Sequence, residues 1–266
     1  MLAALLERRP IEEPVALVVA HPDDETLALG GSLHLFRHLL LIHVTDGAPL
    51  SLGDAAREGF TSPAAYAAAR AAELDAALAL VPDGGITRAT LGISDQLATA
   101  AIPDITARLH QAFAAHDIRT VLTHCYEGGH PDHDAVAVAV QRTGTEVFEF
   151  AGYHADRNGA LRTGEFLTHP SHIAGFNSTL TTSPEATVIH LHGDDLVRKQ
   201  AMLACFRTQR EILGHFDPSI ERFRRAPPYD FAQPPHPGRL LYEAWGWMNG
   251  EAWRDQVEQD ETPCGA

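Results

Sequence analysis

Two short segments carry side chains that could do chemistry together: His21-Pro22-Asp23-Asp24-Glu25 and His130-Pro131-Asp132-His133. Each sets an imidazole three positions before a second metal-binding group, Asp24 in the first and His133 in the second. On a tight turn or a first helical turn, that spacing lets both side chains converge on one point. His21, Asp24 and His133 together offer two nitrogens and one carboxylate oxygen. That is the usual donor set of a catalytic zinc ion, which keeps a further position open for water. Neither segment contains a cysteine, which argues against a closed structural site. The expectation is one divalent ion, Zn2+ first, although the same donors accept iron, cobalt or manganese. Asp23, beside a ligand without being one, is placed to be the general base. His130 is placed to act as an imidazolium that stabilises an oxyanion or protonates a departing amine.

Asp24 and His133 stand 109 positions apart (133 − 24), so only the fold can unite them. Residues 15–20 (VALVVA) form a continuous run of β-branched and small apolar residues, which predicts a strand buried on both faces. The first motif follows directly, and its proline and acids suit the start of a helix carrying Leu27, Leu29, Leu33 and Phe36. Further strands are expected over 39–44, 120–124, 147–152 and 186–190, and helices over 63–80, 103–116, 135–140 and 195–213. Residues 91–95 read as a short turn. Strands alternating with helices predict one α/β domain over 1–266, Rossmann-like, with a mainly parallel sheet flanked by helices. In such sheets ligands bind outside the carboxyl ends of the strands, where both motifs fall. From about Phe216 the composition shifts, with Pro227-Pro228, Pro234-Pro235 and Pro237-Gly238 interrupting any period. Residues 216–266 are therefore expected as an ordered, proline-rich C-terminal extension packed on the domain, and their aromatic residues are consistent with self-association.

The bulk numbers narrow the partners. A formal net charge of −15 over 266 residues repels phosphate backbones and anionic headgroups, so neither nucleic acid nor a membrane is expected. Residues 1–10 show no targeting pattern, and no stretch approaches the ~20 apolar residues that span a bilayer. Cys125, Cys205 and Cys264 are scattered and odd in number, which fits a reducing cytoplasm.

The paired motifs resemble those of the PIG-L/LmbE-like family of zinc-dependent N-deacetylases. The resemblance extends to Thr45-Asp46-Gly47, to Arg70-x-x-Glu73, to Asp95 after a Leu-Gly turn and, more loosely, to Lys199 with Thr208-Gln209. It implies that His21, Asp24 and His133 hold the metal, that Asp23 is the base, and that His130 stabilises the tetrahedral intermediate. It implies too that Arg70 and Asp95 touch the substrate, an N-acetylated amino sugar or its glycoside that loses an acetyl or other acyl group from its amide nitrogen. The proline-rich end matches no part of the small founding members.

Plainer readings compete. Acids in a first turn can be ordinary helix capping, and the histidines of the second motif could be solvated loop residues. Arg70 and Glu73 could form a surface ion pair worth a few tenths of a kcal/mol, roughly. His124 at a strand end reads as a core or rim histidine. His34, His38, His43, His154, His169, His172, His190 and His192 have no partner spacing, and Trp245 and Trp247 read as core. The site itself leaves open a hydrolase of another small amide or ester, or a metal-containing sugar-binding protein without turnover.

Overall fold

The computed structural model describes residues 1–82, 85–167 and 185–261; His169, His172 and Cys264 lie outside them. A seven-stranded sheet organises the chain. Its strands are β1 (Val15–Val19), β2 (Leu39–Pro49), β3 (Ile86–Asp95), β4 (Thr120–His124), β5 (Glu146–Phe150), β8 (Thr187–His190) and β9 (Ile220–Arg225). The order across the sheet is β3-β2-β1-β4-β5-β9-β8. β1 to β5 pair in parallel, and β9 runs antiparallel to both of its neighbours. The expected mainly parallel α/β architecture is thus the observed one. A separate two-stranded hairpin joins β6 (Tyr153–Ala155) to β7 (Leu161–Thr163).

Strand alternation explains why β1 is apolar throughout. Val15, Leu17 and Val19 face one core with Leu5 of α1 (Leu2–Leu6), Leu29 of α2 (Asp24–Leu29), Leu74 of α4 (Pro63–Leu78) and Met202 of α7 (Gly193–Leu203). Ala16 and Val18 face the other core with Leu109 of α5 (Ile102–Ala115), Val136 of α6 (Pro131–Gln141) and Trp253 of α10 (Gly250–Glu261). Three further short helices are α3 (Leu52–Arg57), which packs against β2 and α4, α8 (Arg210–Leu213) and α9 (Leu241–Ala244).

Several elements depart from expectation for identifiable reasons. Residues 91–95, read as a turn, belong to β3; on the sheet's edge its side chains are largely solvated, so no apolar alternation marks it. The helix expected over 195–213 ends at Leu203, because Phe206 is buried and Thr208 bonds to Glu73 of α4, which takes the chain off the helical path. β9 was hidden by its charges. Inside the sheet, Arg224 Nε donates to Glu149 at 2.5 Å, and Glu221 accepts from Gly31 N at 2.8 Å and faces Lys199 Nζ at 3.4 Å. The chain after Phe216 therefore contributes a sheet strand before its proline-rich stretch. Its last helix then returns to the second motif, where the fully buried Trp253 donates from Nε1 to Pro131 O at 3.1 Å.

Candidate metal centre

β1 is the point at which strand order reverses, since its neighbours are β2 on one side and β4 on the other. The crevice above its carboxyl end receives the loop after β1, which carries His21 to Asp24, and the turn after β4, which carries His130 to His133. The topology alone brings the two motifs together.

Within that crevice His21 Nδ1 and His133 Nε2 lie 3.1 Å apart. Asp24 places Oδ2 3.4 Å from the His21 nitrogen and Oδ1 3.4 Å from the His133 nitrogen. An ion with bonds of about 2.0–2.1 Å to tetrahedral ligands spaces its donor atoms about 3.3 Å apart, so the three fit one divalent ion. All three residues are buried. His21 is held for this role at its other nitrogen: Nε2 is 3.1 Å from Asp95 Oδ1 and 3.5 Å from Asp132 Oδ2. A carboxylate accepting the outer N–H leaves the inner nitrogen free to ligate. Asp132 is itself fixed by the backbone N–H groups of Gln96 and Ala98, at 2.6 and 3.1 Å. Asp95, expected against substrate, thus also braces His21.

Asp23 sits at a backbone φ of +130°, a region that non-glycine residues avoid at a cost of about 1–3 kcal/mol. Glu25 Oε2 accepts its N–H at 2.9 Å, and Arg70 clamps the turn by donating to Pro22 O at 2.7 Å and to Asp23 Oδ2 at 3.0 Å. A third bond, from Arg70 to Gly47 O at 2.7 Å, explains Thr45-Asp46-Gly47: a Cβ at Gly47 would lie 2.6 Å from the guanidinium. Arg70 is therefore no surface ion-pair partner of Glu73, which instead accepts from Thr208. Arg70 still lines the cavity, though its donors to Pro22, Gly47 and Asp23 are directed into the protein.

Charge states follow from burial and neighbours. Burial pushes the Asp23 carboxyl well above the usual range, against the opposing pull of Arg70. Asp24 goes the other way: burial is outweighed by the His133 and His124 imidazoles, and its pKa falls well below normal. Burial opposes charge on His21 too, but Asp95, Asp132 and Asp24 overcome it and raise its pKa. His130 is pushed well below its ordinary value by burial and then by His21. Its Nδ1 accepts from the Asp132 N–H at 3.1 Å, so the proton of the neutral ring sits on Nε2, 3.6 Å from Asp95 Oδ1. A neutral N–H donor replaces the imidazolium expected from sequence.

His124, read as a core or rim histidine, lies against the centre. Its ring stacks on His133 at 3.9 Å, and its Nε2 accepts from Ala20 N at 2.9 Å and lies 3.4 Å from Asp24 Oδ2. Burial and the neighbouring His133 depress its pKa to about 3. Its position at the end of β4, beside β1, was the signal that could have found it. Trp245 and Trp247, read as core, instead line a cavity of about 510 Å3 together with Tyr153 and Phe216, with the centre at its floor. The Trp247 ring is 4.6 Å from that of His130, and Trp245 is 42% exposed. No spacing rule connects a C-terminal tryptophan to a motif more than a hundred residues earlier.

The PIG-L family model, described as GlcNAc-PI de-N-acetylase, matches residues 16–143, a span that contains both metal motifs. No curated protein matches the sequence. Among solved structures, the A40926 pseudoaglycone deacetylase is 19% identical with a TM-score of 0.59, covering 82% of this chain and 99% of its own. A deacetylase–teicoplanin complex is 14% identical with a TM-score of 0.60, covering 80% and 98%. A structure described as the zinc-inhibited form of teicoplanin deacetylase is 15% identical with a TM-score of 0.57, covering 80% and 97%. At these identities the likeness is one of fold. The chain thus matches the PIG-L family model across both motifs and shares the fold of these deacetylases along about four-fifths of its length.

Proposed function

We propose that this chain is a metal-dependent hydrolase that removes an acetyl or other acyl group from the amide nitrogen of an N-acetylated amino sugar or its glycoside. The observation that carries this reading is what the cavity floor holds besides a ligand set. Asp23 and His130 stand beside the three ligands without being used as ligands, and a site that only binds needs neither.

His21, Asp24 and His133 would hold the ion. When bound, it supplies Lewis acidity toward a carbonyl oxygen and lowers the pKa of water. Zn2+ is the first candidate, with Fe2+, Co2+ and Mn2+ to be titrated beside it because one structural neighbour is described as zinc-inhibited. Asp23 takes the proton of the attacking water on its carboxylate. Its raised pKa makes it a better base than an exposed aspartate, and once protonated it can deliver the proton to the departing amine nitrogen. Arg70 keeps that carboxylate aimed and its turn in the strained conformation. His130 donates its Nε2–H to the acyl oxygen as negative charge develops there, a hydrogen bond worth most in a water-poor site.

The cavity also suggests what the sugar is attached to. Trp245, Trp247, Phe216 and Tyr153 make one wall apolar and aromatic, with room beyond a single ring. A glycoside with a planar or apolar aglycone matches that wall better than a free monosaccharide.

The test is metal-dependent release of acetate from N-acetylglucosamine and a series of its alkyl and aryl glycosides, by the wild type, the chelated protein and His133→Ala. Release that is lost in both controls and increases with an aryl aglycone is the expected result. A fully metal-loaded protein that releases nothing from any member of the series would reject the amino-sugar reading.

A further inference from the structure

The two histidine ligands differ on their outer sides. His21 Nε2 faces Asp95 and Asp132, whereas His133 Nδ1 is buried with no hydrogen-bond partner among the described residues. With Nε2 on the metal, His133 would carry its proton on Nδ1, a buried N–H that needs an acceptor. Close by is a carboxylate with the complementary deficit. Glu127 is 1% exposed, and neither Oε1 nor Oε2 has a hydrogen-bond partner among the described residues.

Gly152, just past the end of β5, shows that these two groups share one small space. A Cβ there would lie 2.5 Å from Glu127 Oε1 and 3.8 Å from His133 Nδ1. The other oxygen, Oε2, is 3.4 Å from His154 Nδ1, which is also buried and makes no hydrogen bond among the described residues. The loop bearing Glu127 is anchored, since Asp134 Oδ1 accepts its backbone N–H at 3.1 Å, and Asp134 lies one residue beyond His133.

We propose that Glu127 is the positioning residue for His133: its carboxylate lies between the outer nitrogens of His133 and His154, accepts the His133 Nδ1–H directly or across one bridging water, and so aims Nε2 at the metal. Gly152 is glycine to leave room for that carboxylate. The inference rests on the metal reading of the site and extends it from the ligands to the group that orients one of them. Outer partners of ligating histidines typically change metal affinity about 10–100-fold when removed.

The experiment titrates metal-stripped protein with Zn2+ against a competing chelator for the wild type, Glu127→Leu, Glu127→Gln, Gly152→Ala and His133→Ala, and records the melting temperature of each metal-free form. Glu127→Leu should weaken Zn2+ binding by about 10–100-fold, and Gly152→Ala should weaken it by displacing the carboxylate. Glu127→Gln keeps the shape and one carbonyl acceptor, so it should recover part of the affinity. A merely structural role would lower the metal-free melting temperature and leave affinity alone. If Glu127→Leu and Glu127→Gln both bind Zn2+ within twofold of wild type while His133→Ala does not bind, the positioning role is wrong and the metal centre stands. If the wild type itself binds no divalent ion, the underlying reading fails with it.

Discussion

Arg70 offers the most direct test of how the centre is built. Replacing it with methionine keeps much of the stem and removes a guanidinium that is 3% exposed and spends bonds on Pro22 O, Gly47 O and Asp23 Oδ2. Two carbonyls lose a charged donor, and Asp23 is left buried beside Asp24 without its guanidinium partner. Breaking one side of a buried pair costs about 3–5 kcal/mol. For a chain of this size, 1 kcal/mol moves the melting temperature by about 2–4 °C, so the loss should be about 10 °C. A second consequence concerns pH. Arg70 is the strongest influence holding the Asp23 pKa down against burial, so its removal raises that pKa further. Asp23 must be ionised to accept a proton, and the acid limb of the pH–rate profile should therefore move to higher pH. Arg70→Lys keeps the charge but cannot reproduce the fork, and should fall between wild type and Arg70→Met. Differential scanning calorimetry and a pH profile of kcat/KM on metal-loaded protein read both effects. An Arg70→Met protein that melts within 2 °C of wild type with an unmoved acid limb would show that the clamp on Asp23 is not what the structure implies.

Three further outcomes are expected. Trp245→Ala, at a 42% exposed position on the cavity wall, should raise KM for aryl glycosides several-fold while leaving free N-acetylglucosamine and the melting temperature nearly unchanged; equal effects on both substrates would remove the wall from substrate recognition. Lys199→Met should destabilise by about 3 kcal/mol in urea titration, because Glu221 would stay buried without its cation and Leu27 O without its donor at 2.8 Å, with no change in metal affinity. His124 is held neutral, with a folded pKa of about 3 against an unfolded value near 6.5. The unfolded state therefore binds more protons between those values, so this stabilisation is present above about pH 6.5 and is lost as pH falls toward 3. His130 shifts in the same direction and His21 in the opposite one, so the specific sign of the His124 contribution is read as a flatter acid-side stability curve for metal-stripped His124→Gln; an unchanged slope would refute it.

Much of this protein was legible before any coordinates. The run at 15–20 is apolar at every position because β1 is covered on both faces, and a strand covered on both faces announces itself in one dimension. His21, Asp24 and His133 were legible for a different reason: ligand chemistry restricts residue type and local turns restrict spacing, so each half of the site is a short-range pattern. β9 was illegible because its buried charges are neutralised by Glu149 and Lys199, partners that sequence distance conceals. The helix expected through residue 213 failed where Phe206 and Thr208 took tertiary partners over helical ones.

What the sequence carried by itself is the two short patterns of candidate ligands and the buried strand that precedes the first of them. Only the tertiary structure decided that β1 and β4 are neighbours at the reversal of strand order, that Arg70 turns inward to Asp23 rather than outward to Glu73, that His130 is a neutral donor, and that C-terminal tryptophans wall the cavity. The division has one physical cause. Covalent geometry and local propensity act over a few residues and leave periodic traces, whereas burial, charge compensation and the protonation they impose depend on which distant groups arrive at the same place.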